Sequence, residues 1–294
     1  MKTNSSFHRI AVTGSQGQLG REIAKISGEY SKHQFSFLSR KDFPLEDLDK
    51  VTKWLEQHPV DIFVHCAAYT AVDKAESDKE NAYKINAAAS GQIASVLSKT
   101  KSRLIYISTD YVFEGNSINP LKEDAVTNPI NVYGASKLEG ERLVQKNNPD
   151  SQIIRTSWLY SEFGNNFLKT MVQLMKDRQS IKVVSDQKGS PTYAGDLARV
   201  IMDMLDTDFF NPGTYHFSND GEATWYEFAL EIKKLTNSPC EIFPISTSEY
   251  PTAAKRPAYS LLDTSKIKRD YGLIIPNWQT SLAYCIEQLK NRGV

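Results

Sequence analysis

The chain has 294 residues, 40% hydrophobic and 24% charged, an ordinary globular composition with enough length for a dinucleotide-binding unit carrying a smaller second lobe. Lysine plus arginine equals aspartate plus glutamate at 35 each, so no overall field draws the chain to nucleic acid or to an anionic membrane, and an anionic ligand must be held locally. Cys66, Cys240 and Cys285 are too scattered for a disulfide framework or zinc ribbon, and the five histidines show no ligand spacing, so no metal is expected. The run 1–9 is polar and no segment approaches about 18 continuous apolar residues. A cytoplasmic protein without a membrane partner is the expectation.

A β-branched run at 10–13 predicts the first strand. Directly after it, Gly14-Ser15-Gln16-Gly17-Gln18-Leu19-Gly20 opens a helical pattern over 18–26. Glycines at the first, fourth and seventh places allow a tight turn, a close approach of backbone to a pyrophosphate, and close packing of helix on strand. The phosphates then meet unpaired N–H groups at a helix N-terminus. Such a triplet is weak alone, because turns use glycine for geometry only; its place after the first strand strengthens it. A second strand at 35–38 runs into Ser39-Arg40, about twenty residues past Gly20, where NAD enzymes carry an acidic residue for the ribose 2′-hydroxyl. A guanidinium beside a hydroxyl suits a 2′-phosphate instead, which predicts NADPH over NADH, with Asp42 toward the adenine. The alternative is a solvated arginine at a strand end.

Further on, a helix is predicted over 45–57, a strand over 62–66, a long Ala- and Ser-rich helix over 75–99 and a strand over 104–108. That fourth strand ends in Ser108-Thr109-Asp110-Tyr111, at the edge where open parallel sheets bind ligands. Thr109 is the candidate donor to a substrate carbonyl, with Ser108 second. The next helix, 133–146, starts with Tyr133-Gly134-Ala135-Ser136-Lys137. Four residues apart, the phenol and the ammonium share one helix face, and a neighbouring cation would lower the phenol's pKa enough for it to protonate an alkoxide as hydride arrives. In isolation such a pair is more often a half-buried tyrosine and an exposed lysine.

A strand over 153–156 closes the regular alternation, which predicts a Rossmann-type, doubly wound parallel sheet over residues 1–160. Beyond it come a helix over 167–176, a strand over 181–184, a helix over 194–205, a strand over 214–217 and helices over 225–235, 265–271 and 279–290. The segment 243–259, rich in proline and aromatics, reads as irregular. Residues 161–294 are expected to form mainly a smaller α/β substrate-binding domain, with some segments returning to the first sheet.

Gly14, Gly17, Gly20, Thr109, Tyr133 and Lys137 together resemble the extended short-chain dehydrogenase/reductases. More narrowly, the chain resembles the dTDP-4-dehydrorhamnose reductase family in Ala67-Ala68-Tyr69-Thr70-Ala71-Val72-Asp73-Lys74-Ala75-Glu76, Ser108-Thr109-Asp110-Tyr111-Val112-Phe113, Asn131-Val132-Tyr133-Gly134 and Arg155-Thr156-Ser157-Trp158-Leu159-Tyr160. The likeness continues in Gly164-Asn165-Asn166-Phe167, Asp186-Gln187-Lys188-Gly189-Ser190-Pro191-Thr192 and Arg256-Pro257. This resemblance implies reduction of a dTDP-linked 4-keto-6-deoxysugar by NADPH, with NADH as second cofactor, in a monomer or homodimer. It implies Gly17, Gln18 and Leu19 at the pyrophosphate, and Ala67, Ala68 and Tyr69 on the nicotinamide side. Thr109, Asp110, Trp158 and Arg256 would meet the sugar nucleotide. Tyr133 would be the proton donor, and Lys137 its partner at the nicotinamide ribose. For Trp158 core packing is the competing account. Glu22 matches a magnesium position of some dimeric relatives but lacks recognisable partners here, so no obligatory metal is expected. Two rival functions share these motifs: a nucleotide-sugar epimerase or dehydratase, and a non-catalytic subunit like that of methionine adenosyltransferase. Dehydratases add a glutamate after the Thr-Asp pair, where this chain has Tyr111.

Overall fold

Short apolar runs alternate with amphipathic helices, and the chain pairs those runs side by side. In the computed structural model, described for residues 6–207 and 209–292, β1 (Arg9–Thr13) leads into α1 (Gln18–Ile26) and β2 (Gln34–Leu38) into α2 (Leu48–Gln57). Residues 1–5 of the polar N-terminal run lie outside the described residues. Next come β3 (Ile62–His65), the short helices α3 (Val72–Ala75) and α4 (Lys79–Tyr83), α5 (Ala89–Thr100), β4 (Arg103–Thr109), α6 (Val132–Asn147) and β5 (Gln152–Thr156). The later chain adds β6 (Leu159–Tyr160), α7 (Phe167–Asp177), β7 (Ser180–Val184), β8 (Lys188–Gly189), β9 (Thr192–Tyr193), α8 (Ala194–Leu205) and β10 (Gly213–Phe217). It ends with β11 (Ala223–Thr224), α9 (Trp225–Thr236), β12 (Glu241–Ile245), α10 (Ser265–Tyr271) and α11 (Trp278–Asn291).

Six strands form one parallel sheet in the order β10-β5-β4-β3-β1-β2. Alternate residues of each strand feed opposite layers. Ile10, Val12, Ile62, Val64, Ile105 and Ile154 pack against Leu19 and Ile23 of α1 and against Leu197 and Ile201 of α8. Ala11, Phe63, Leu104, Tyr106 and Ile153 pack against Val51 and Leu55 of α2 and Ile93 and Leu97 of α5. Helices cover both faces, as a parallel sheet requires, and the strand order reverses between β1 and β3, the switch point where such sheets bind ligands.

Two segments beyond residue 160 belong to this sheet: β10 pairs with β5, and α8 lies beside α1. Elsewhere β7 and β12 make a two-stranded parallel ribbon packed with α7, α9 and α11. That strand at 241–245 lies partly in the segment expected to be irregular. Pro244 obscures it in the sequence, yet a strand at the edge of a two-stranded ribbon can dispense with one N–H.

The helix expected over 75–99 is interrupted. After α3 the chain breaks, restarts with α4, and passes through one π-helical turn at Lys84–Ala88 before α5. The π turn centres on Asn86. Its carbonyl accepts from the Ser90 hydroxyl at 2.9 Å and the Tyr106 hydroxyl at 3.0 Å. Its side-chain amide bonds both Tyr69 N–H at 2.8 Å and Tyr69 C=O at 3.1 Å, and donates to Ser136 Oγ at 2.9 Å. Such turns tolerate side-chain partners that a regular ladder excludes. α6 packs directly here, since a Cβ at Gly140 would overlap the Asn86 carbonyl.

Candidate active site

A cavity of about 670 Å³ runs along the carboxyl ends of the sheet strands. At one end Gly14 turns the chain with φ +68°, and Gly17 N–H closes onto Gly14 C=O at 2.8 Å. A Cβ at Gly20 would overlap the Gly14 carbonyl, and one at Gly14 would stand 2.9 Å from Ala67 N. The turn, α1 and the end of β3 therefore meet at glycine only. Gly17 caps α1 without a side-chain bond to the first turn, so the donors of that turn, with Gln18, Leu19 and Gly20 on the cavity wall, suit a pyrophosphate. This cradle fits a dinucleotide.

Ser39 and Arg40 also line the cavity, together with Glu46. Arg40 is largely exposed and donates through Nε to Glu46 Oε1 at 2.9 Å. Asp42 is turned inward on its own loop, where Oδ2 accepts from Ser39 N–H at 3.0 Å and from Ser39 Oγ at 2.5 Å. It is not part of the cavity wall. At the end of β3, Ala67, Ala68 and Thr70 line the cavity, whereas Tyr69 points away and donates to Asp78 Oδ2 at 2.9 Å.

The middle of the cavity holds Thr109, Asp110, Tyr133 and Lys137. Asn131 starts α6 by accepting from Gly134 N–H at 2.8 Å, and a Cβ at Gly134 would overlap the Tyr111 carbonyl. Helix α6 thus begins against the turn that follows β4, which sets Tyr133 beside the strand end carrying Thr109. Burial raises the Tyr133 pKa to about 12, relieved by the Thr109 hydroxyl and reinforced by Asp110. The expected lowering by Lys137 does not appear, because the Lys137 ammonium turns to the sheet. Its Nζ donates to Ile107 C=O at 2.7 Å and lies 4.0 Å from the Tyr106 ring centroid. Burial draws the Lys137 pKa down to about 7 against the charge of Glu141. Tyr133 is consequently a protonated phenol at neutral pH, a loaded donor.

Asp110 is buried, which raises its pKa to about 6 despite hydrogen bonding that favours the carboxylate. Its Oδ1 accepts from Thr109 Oγ1 at 3.0 Å, while Oδ2 has no partner. Thr156, the β5 residue in register with Thr109, likewise leaves its buried hydroxyl oxygen without a partner on the cavity wall. Unpaired polar atoms of this kind are costly unless a ligand completes them. Beneath the site, Glu141 accepts Ser108 Oγ at 2.5 Å and holds Arg155 through Nε at 2.9 Å and Nη2 at 2.7 Å.

At the far end stands Trp158, with Trp225 stacked on it at 3.6 Å between ring centroids. Trp225 escaped the sequence reading. Its only local signal is a helix start, with Thr224 and Glu227 forming a capping box, and nothing in the sequence brings α9 next to the end of β5. Arg256 is not on the cavity wall; it forms a two-pronged bond with Asp73 at 2.6 and 3.1 Å. Glu22 lies buried away from the site beside Glu162, where burial pushes its pKa to about 8 and Ser161 Oγ donates to it at 2.5 Å. Among the described residues, no cluster of three acidic, histidine or cysteine side chains is arranged to hold a metal, and no helix is long and apolar enough to cross a membrane.

Residues 8–291 match the family model described as the RmlD substrate binding domain. A dTDP-4-dehydrorhamnose reductase of Aggregatibacter actinomycetemcomitans is 38% identical over 285 residues, 93% of this chain and 97% of the relative. The crystal structure of a dTDP-4-dehydrorhamnose reductase from Clostridium acetobutylicum superposes with a TM-score of 0.92 at 40% identity, covering 96% of this chain and 99% of the other. That of the Bacillus anthracis reductase, in complex with NADP, gives 0.92 at 37% identity over 96% and 100%.

Proposed function

The chain belongs to the RmlD family of dTDP-4-dehydrorhamnose reductases, and from that premise we propose that it reduces the C4 ketone of dTDP-4-dehydrorhamnose to dTDP-L-rhamnose with NADPH. The observation that carries this reading is one cavity joining the glycine cradle, the strand end at Thr109 and the α6 pair Tyr133 and Lys137. Bound NADPH supplies the hydride. Tyr133, protonated through neutral pH, gives its proton to the oxygen that becomes the C4 hydroxyl. Thr109 Oγ1 turns from Asp110 to donate to the same oxygen. Lys137, held by Ile107 C=O on the cavity wall, meets the nicotinamide ribose. Asp110 and Trp158 meet the sugar, and the partnerless Asp110 Oδ2 accepts a sugar hydroxyl. Arg256 acts on this side indirectly, by tying its own loop to Asp73 of α3. We place the enzyme in the cytoplasm, where its three thiols stay free.

Stoichiometric NADPH oxidation with the dTDP-linked 4-keto-6-deoxysugar, with dTDP-L-rhamnose as product, is the result expected. Isomerised or dehydrated sugar without net NADPH consumption would assign the cavity to an epimerase or dehydratase instead.

Cofactor choice gives a separate expectation. Arg40 engages Glu46 through Nε, and a 2′-phosphate would draw its guanidinium into charge-assisted bonds. Arg40→Asp should raise the dissociation constant of NADPH at least about tenfold, a factor worth about 1.4 kcal/mol, and leave that of NADH nearly unchanged. Equal changes for both cofactors, measured by fluorescence titration, would remove Arg40 from the 2′-phosphate site.

A further inference from the structure

Trp158 reaches the cavity from a left-handed backbone conformation, φ 47°, which is unfavourable for a bulky residue and persists only where the surroundings hold it. Two neighbours do so. Trp225, the first residue of α9, lies 8° from parallel with it at 3.6 Å between centroids. The Gly189 backbone approaches the same indole so closely that a Cβ there would stand 2.9 Å from Trp158 Cε2 and 3.0 Å from Nε1. Trp225 is itself fixed, since its Nε1 donates to Gln187 Oε1 at 3.2 Å and the Phe167 ring lies 4.7 Å away. Gln187 and Gly189 belong to one short stretch of chain, so a single segment, β8 with the residue before it, both anchors Trp225 and approaches Trp158.

We propose that Trp225 is the positioning residue for substrate recognition: with Gly189 it clamps the Trp158 indole as a preformed wall for the nucleotide-linked sugar. The inference rests on the reductase reading above. Without the clamp, the sugar must order the indole as it binds, and that cost falls on substrate affinity rather than on the chemical step. An aromatic ring at 225 is the requirement, because stacking and area of contact do the holding.

Trp225→Ala should raise KM for the keto-sugar about tenfold, with kcat within about threefold and the NADPH dissociation constant unchanged. Trp225→Phe keeps a ring on the stack and should bring KM back to within about threefold of the parent. Gly189→Ala, which pushes the same indole through its new Cβ, should repeat the KM effect with NADPH binding intact. An unchanged KM in Trp225→Ala overturns the proposal. So does a joint loss of NADPH affinity and kcat that the phenylalanine variant fails to restore, since that marks general damage to the fold. A parent enzyme that leaves NADPH unoxidised in the presence of the keto-sugar overturns the reductase reading instead, which keeps the two failures distinct.

Discussion

Tyr133→Phe lowers kcat by about 10²–10⁴-fold, roughly 3–5 kcal/mol in the barrier, because it removes the proton donor and little else. NADPH affinity and the melting temperature should stay near those of the parent, since the Tyr133 hydroxyl stands at the cavity beside Thr109. Single-turnover rates measured beside NADPH dissociation constants test this, and near-normal turnover would take Tyr133 out of the mechanism. Lys137→Met should also slow turnover but, unlike Tyr133→Phe, weaken NADPH binding. It carries a pH signature as well. Burial sets the Lys137 pKa at about 7 in the fold, below its unfolded value, so the buried charge destabilises the protein below about pH 7 and that penalty disappears as pH rises toward the unfolded pKa. Methionine should therefore stabilise the fold more at about pH 6 than at about pH 10, and the opposite order in thermal melts would show that Lys137 is not held in this way.

The second large effect is on stability. Arg155 and Glu141 form a buried two-pronged pair at 2.7 and 2.9 Å, with side chains 6% and 3% exposed. Arg155→Met leaves Glu141 buried with Ser108 as its remaining side-chain donor, a loss of about 3–5 kcal/mol. In a chain of this size that lowers Tm on the order of 10 °C. Adding Glu141→Leu should recover much of the loss, because burying two apolar groups costs less than burying one unpaired charge. If the double variant melts no higher than Arg155→Met, packing rather than charge accounts for the defect.

Much of this architecture was legible because parallel strands buried on both faces read as apolar runs. The strands expected at 10–13, 35–38, 62–66, 104–108 and 153–156 correspond to β1 to β5 within a residue or so. The glycine turn was legible for a related reason, since close backbone approach leaves no room for a Cβ and so restricts the residue type. What escaped depends on contacts between distant segments. The π turn sits where Asn86 meets Tyr69, Ser136 and Tyr106, none of which is its sequence neighbour. Arg256, expected at the sugar nucleotide, is instead paired with Asp73, which only the fold brings to it. Asp42 and Tyr69, both expected at the cofactor, are taken by Ser39 and Asp78. Trp225 reads as an ordinary helix start until α9 docks beside the end of β5.

The pairing of β10 with β5 also fixes an order of events on the ribosome. β5, wholly buried in the finished protein, emerges about 60 residues before the strand that covers its edge, an interval of roughly 3–12 s at typical rates of synthesis. Through that interval the nascent sheet ends in a strand whose outer edge is bare, and α8, which covers Ile154 on one face, is also still to come. An exposed edge of that kind invites pairing with other chains. Because β5 sits in register with β4 up to Thr109 and Thr156, late arrivals from beyond residue 190 complete the flank of the strand pair that lines the cavity. The sheet that carries the glycine cradle is thus begun first and finished last.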